Sequence, residues 1–146
     1  MVEWEKDMRW KKETQMQSWF TRWGGQPDGQ KWIQSHGGNI AYECKLVRAK
    51  DSTLADSKVP EHQVASLLRA AGIWTGGLRH KISDSGIGFK PCDGFIISSG
   101  YGALIIGFEN GRIFDVDIED YDMERGDRIR GSVNTEWIEE NGREIK

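Results

Sequence analysis

The sequence predicts an α/β domain whose mixed, largely antiparallel sheet is flanked by helices. Three observations lead there. Segments with helical apolar spacing carry their own start and stop signals, short runs rich in Ile, Val, Phe and Tyr lie between turn residues, and no repeat or low-complexity linker interrupts the order. At 146 residues the chain has the length of one domain with a sizeable core.

Residues 3–23 read as a helix whose stripe is Trp4, Met8, the Lys12 stem, Met16, Trp19, Phe20 and Trp23, stopped by Gly24-Gly25. Four of the seven tryptophans, Trp4, Trp10, Trp19 and Trp23, fall in this segment, where helical spacing makes them core or interface residues rather than base-stacking ones. "PDGQ" reads as a turn, "KWIQ" as a strand, "SHGG" as a turn and "NIAYECKLV" as a strand. A polar loop, "RAKDSTLADSK", leads to a helix that starts near Pro60 and ends at Gly72, with Val64, Leu67, Leu68 and Ala71 as its core stripe. "HKIS", "CDGFIISS", "GALIIGFE" and "RIFDVDI" read as strands separated by glycine-rich turns. The tail "NTEWIEENGREI" forms a short helix capped by Asn134 or Thr135.

The formal net charge of −3 does not by itself suggest a polyanion partner, although basic residues cluster in "RWKK" and "KLVRAK". No apolar run reaches bilayer-spanning length and the N-terminal stretch lacks a signal-like apolar region, so a soluble intracellular protein is expected. Cys44 and Cys92 sit in apolar runs and read as core residues. No His/Cys spacing, with His36, His62 and His80 scattered, matches a zinc site. In "DVDIEDYDMERGD", Asp115, Asp117 and Glu119 fit alternate calcium-ligand positions, but Asp120 stands where the loop needs Gly and Gly126 where it needs Glu, so an EF-hand is excluded. That run reads as a strand followed by a solvated acidic loop or helical turn.

The strand "NIAYECKLV" carries the chemistry. Side chains alternate along it, so Ile40, Tyr42, Cys44 and Leu46 share one face while Ala41, Glu43, Lys45 and Val47 share the other. An acid and a lysine two apart on one face can hold Mg²⁺ and activate or orient an attacking water at a phosphodiester, although an ordinary surface ion pair has the same spelling.

Together, "YECKL", "VPEHQVASLL", "HKISDSGIGFKPCDGFIIS" and "GALIIGF" resemble the PD-(D/E)xK nuclease superfamily, and within it the phage and bacterial Holliday-junction-resolvase-like, RecU-type members. The resemblance covers about residues 40–120. It implies a restriction-endonuclease-like fold, with Glu-x-Lys ahead of the "K-P-x-D" segment as in a permuted core order. One nuclease domain is then expected over 1–146: the N-terminal helix 3–23, a catalytic core over about 27–120 and a C-terminal extension 121–146.

The resemblance implies that Glu43 and the Cys44 carbonyl ligate Mg²⁺ or Mn²⁺, that Lys45 acts on the nucleophilic water, and that Gln63, rather than His62, positions water or phosphate. The second metal acid is Asp93, favoured because a carboxylate entering an apolar strand needs a cation, or Asp28, which an ordinary Pro-Asp turn also explains. Asp84 is a turn former or a further ligand, and the helical acid of the family falls at Glu13, with Glu5 as the alternative. Arg9, Lys11, Lys12, Arg48 and Lys50 are the expected DNA contacts. The implied activity is that of a Mg²⁺-dependent, structure-selective DNA endonuclease acting on branched DNA as a homodimer. Its rivals are a restriction-like or end-processing nuclease and an inactive nucleic-acid-binding module of the same fold.

Overall fold

Residues 102–107 read Gly-Ala-Leu-Ile-Ile-Gly without one polar side chain, and a strand of that kind needs cover on both faces. The computed structural model describes residues 9–37, 40–48, 52–72, 78–82, 94–98, 100–126, 128 and 131–145, with 78–82 and 94–98 given by backbone alone. The run lies within β5 (Tyr101–Phe108), inside a mixed four-stranded sheet of order β1-β5-β6-β8. β1 (Ile40–Val47) runs parallel to β5, with Glu43 opposite Leu104 and Lys45 opposite Ile106. β6 (Ile113–Asp117) and β8 (Arg143–Glu144) continue antiparallel.

Helices cover both faces. α1 (Glu13–Gly24) and α2 (Pro27–Ser35) place Met16, Phe20, Trp23 and Trp32 against Cys44, Leu46, Ala103 and Ile105. On the other side, α3 (Glu61–Ala70), α4 (Ile118–Arg125) and α5 (Thr135–Asn141) place Val64, Leu67, Leu68, Tyr121 and Ile138 against Val47, Leu104, Ile106 and Val116. The odd and even positions of β5 thus feed two separate cores, as a period of two requires. β2 (Thr53–Ala55) pairs with β7 (Ser132–Asn134), and β3 (Leu78–Ile82) pairs with β4 (Gly94–Ser98), both antiparallel.

Three sequence expectations are corrected. The N-terminal helix expected over 3–23 begins at Glu13, while residues 1–8 lie outside the described part. The Gln15 side chain accepts from the Lys11 and Lys12 amides, and the Arg9 and Trp10 amides donate to the Glu109 carbonyl, so this backbone is satisfied without helix and Trp10 is buried. "PDGQKWIQ" is not a turn and strand but helix α2, with Pro27 in its first turn. Gly29 is there for contact rather than for a turn: a Cβ would collide with the Trp23 carbonyl where α1 and α2 touch.

The acidic run after β6 is a full helix, α4, capped by the Asp117 carboxylate accepting from the Glu119 amide and anchored by buried Ile118 and Tyr121. The C-terminal segment, expected as an extension over 121–146, packs on the rest of the chain. β8 completes the main sheet, β7 pairs with β2, and Val133 and Ile138 are buried. The Asn134 cap on α5 is as expected, accepting from the Trp137 amide. Among the described residues no helix is long and apolar enough to cross a membrane.

A buried ion pair ties this C-terminal part to the connection after β1. Asp56, in the 3-10 turn Asp56–Lys58, takes the Arg128 guanidinium at 2.6 and 3.0 Å and the Tyr121 hydroxyl at 3.0 Å. The Asp56 side chain is only 3% exposed, and stripping its partner leaves an unpaired interior charge. Arg128→Ala should therefore cost about 3–5 kcal/mol, whereas Tyr121→Phe, which leaves the ion pair intact and removes one hydrogen bond to the carboxylate, should cost about 1.5–3 kcal/mol. Urea unfolding followed by tryptophan fluorescence measures both, and equal losses would contradict this ranking.

Candidate functional site

The strand–helix–strand unit β1-α3-β5 determines where reactive groups gather. The Gly100 amide donates to the Ala70 carbonyl at 2.8 Å, and a Cβ on Gly102 would collide with the Leu67 carbonyl, so the end of α3 lies at the start of β5. Its first turn, with Gln63, therefore lies toward the carboxyl end of the parallel pair. Such ends are where open α/β sheets commonly bind ligands.

At that end a cleft of about 320 Å³ is lined by Glu13, Lys45, Leu46, Arg48 and Lys58. Glu13 comes from the first turn of α1, Lys45 and Leu46 from β1, Arg48 from the residue after it, and Lys58 from the 3-10 turn. Glu43 and Lys45 are half-buried on the β1 face that looks toward α3, and among the described residues no hydrogen bond or ion pair engages either side chain. Gln63 is half-buried on the first turn of α3, and its side-chain carbonyl oxygen is buried without a partner among the described residues. An orphaned acceptor costs stability, which is tolerated most readily where a ligand will satisfy it.

Cys44 lies between these groups, on the opposite face. Burial first, then the charges of Glu13 and Glu43, push its thiol up to about 12, with Lys45 pulling the other way. It stays a thiol at neutral pH and acts as packing, as its sequence context suggests, leaving only its carbonyl for chemistry.

The remaining predicted residues separate. Asp28 sits exposed in the first turn of α2 and lines a different cleft with Lys31, Arg143 and Glu144, so nothing brings it to Lys45. His62 lines a third cleft with Asp122 and Arg125. Lys11 and Lys12 are exposed just before Glu13, while Arg9 packs its guanidinium over the Trp19 ring at 4.7 Å. Glu5, Lys50, Asp84 and Asp93 lie outside the described residues. Among the described residues no group of three or more acids, histidines and cysteines is arranged to hold a metal ion. Lys58 was missed: in the sequence it is one lysine in a polar loop, and only the fold brings it beside Lys45.

No family model, curated protein or solved structure matches the chain.

A second polar cluster, also missed, lies under α2. Asp115 is 4% exposed and accepts from the Trp32 indole at 2.8 Å and the Tyr101 hydroxyl at 2.7 Å. The His36 ring stacks flat on Tyr101 with centroids 3.8 Å apart. Its sequence signal was present in "RIFDVDI", where Asp115 alternates with Phe114 and Val116, but its donors come from residues 14 and 83 positions away.

Burial holds the Asp115 carboxyl above the usual carboxylate range, with the two hydrogen bonds opposing it. A raised folded-state pKa favours the protonated form in the fold. That stabilisation is full below the ordinary value near 4 and is lost as pH climbs through the raised one. Asn mimics the protonated carboxyl without titrating, so Asp115→Asn should gain stability relative to wild type between pH 4 and 8. Urea midpoints across that range measure this, and parallel curves for the two proteins would refute it.

Proposed function

We propose that the chain is a Mg²⁺-dependent, structure-selective DNA endonuclease of restriction-endonuclease-like fold, similar to the Holliday junction resolvases and built in a permuted core order. The observation that carries this reading is the cleft in which Glu13 from helix α1 meets Lys45 of the Glu-x-Lys strand, rimmed by further cations. A surface ion pair does not account for it: among the described residues Glu43 and Lys45 do not pair with each other or with any other charged side chain.

The donors suit a hard divalent cation, because Glu43 offers a half-buried carboxylate, unpartnered among the described residues, beside the Cys44 carbonyl and the exposed thiolate chemistry that would favour a softer metal is missing at Cys44. Glu43, the Cys44 carbonyl and Asp93 would hold Mg²⁺ or Mn²⁺, with Glu13 at the cleft as a further acid. When bound, the ion supplies Lewis-acid polarisation of the phosphoryl oxygen and a more acidic water. The Lys45 ammonium meets the negative charge that develops on the phosphate and orients the attacking water. The Gln63 carbonyl oxygen, without a partner among the described residues, accepts a hydrogen bond from that water and fixes its direction. Two symmetric cuts at a branched substrate call for a homodimer.

Glu43→Gln and Lys45→Ala should each lower cleavage of a four-way junction by about 100-fold or more, with circular dichroism and gel-shift affinity near wild type. Asp93→Asn should do the same or raise the Mg²⁺ requirement, and Asp28→Asn should not. Near-wild-type turnover in Lys45→Ala would sink the active-site assignment, and binding without cleavage by the wild-type chain would point to the inactive module instead. Despite the formal charge of −3, affinity should fall steeply with salt, the log–log slope being about −0.9 for each phosphate met by a cation. A flat dependence would argue against a nucleic-acid ligand.

A further inference from the structure

Resting on that reading, we infer that Lys58 and Arg48 form a subsite for a second backbone phosphate, adjacent to the one held at Lys45, so that the cleft takes a phosphodiester polymer rather than an isolated diester. Among the described residues, Lys45, Arg48 and Lys58 line one cleft with a single acid, Glu13. No ion pair among the described residues neutralises these three cations. Cations left this close together repel one another unless an anion arrives between them. A groove lined by several such side chains matches the repeated charge of a phosphate backbone.

The way Lys58 is mounted is the second support. Its turn is held on both sides. Asp56 is fixed by Arg128 and Tyr121 and donates its amide to the Gly131 carbonyl, while the carbonyl of buried Val59 accepts from Arg125 at 2.6 Å. A short surface connection needs no such anchoring. Two arginines and a buried carboxylate hold the backbone of one exposed lysine, which lowers the entropy lost when that lysine meets a fixed phosphate. Asp56 and Arg128 are accordingly positioning residues, acting through Lys58.

The test compares Lys58→Ala, Lys58→Arg and wild type on a four-way DNA junction and on bis(p-nitrophenyl) phosphate, a diester with no neighbouring phosphate. The loss of kcat/KM on the junction should exceed that on the small diester by about tenfold, the size expected for one charge-assisted hydrogen bond, and should appear mainly in KM. DNA binding measured without metal should lose about one unit of log–log salt slope, and Lys58→Arg should restore both quantities. A thermal melt equal to wild type separates this from damage to the turn.

If Lys58→Ala changes neither KM nor salt slope while Glu43→Gln abolishes cleavage, the subsite is wrong and the nuclease reading stands. If the wild-type chain binds DNA without cleaving anything and Lys58→Ala still reduces the slope, the subsite stands and the catalytic reading falls. Absence of DNA binding by the wild-type chain overturns both.

Discussion

The parallel pairing of β1 with β5 is the constraint on which the rest of the molecule depends. Parallel neighbours cannot be joined by a tight turn, so the chain must leave the carboxyl end of β1, return along one face as α3 and re-enter at the start of β5. The close contacts of Gly100 with Ala70 and of Gly102 with Leu67 lock that return. As a consequence the first turn of α3, the end of β1 and the connection carrying Lys58 arrive together at one end of the sheet. The groups of the candidate site are gathered by a backbone requirement rather than by attraction to one another.

A strand at the edge of the sheet, among the described residues, can serve both packing and chemistry. Cys44 and Leu46 pack under the aromatic cover of α1 and α2, where Phe20 stacks with Trp23 and meets Trp32 edge-on, so these tryptophans act as core. The opposite face seals its ends with Ala41 and Val47 and leaves Glu43 and Lys45 between them. The two charges are half-buried, which limits competition from water while leaving them reachable.

Two interior acids away from that cleft are handled in different ways. Asp56 is matched by a guanidinium with two hydrogen bonds, and the pair holds the 3-10 turn to the chain around Gly131. Asp115 has two neutral donors and no cation bonded to it, so burial shifts it toward its protonated form. Both pin distant segments together, Asp56 the β1 connection and Asp115 helix α2. The core-facing polar network therefore specifies which segments meet, beyond what apolar packing alone would select.

Periodicity and turn chemistry are local, and what depended on them was legible in the sequence. The alternation in "NIAYECKLV" separated Cys44 and Leu46 from Glu43 and Lys45. Pro60 and Gly72 bracketed α3, and Asn134 capped α5. Tertiary contacts decided the rest. "PDGQKWIQ" has turn-forming residues, yet packing of Trp32 and the close approach of Gly29 to α1 make it helical. The N-terminal apolar stripe continued upstream of Glu13, but the Glu109 carbonyl captured the Arg9 and Trp10 amides instead. Glu43 and Lys45 could be picked out because their relation spans two residues. Lys58, Arg128 and the donors of Asp115 could not, because their partners are brought by folding from far along the chain, and a pattern read over a few neighbouring residues carries no information about which distant segment will close upon it.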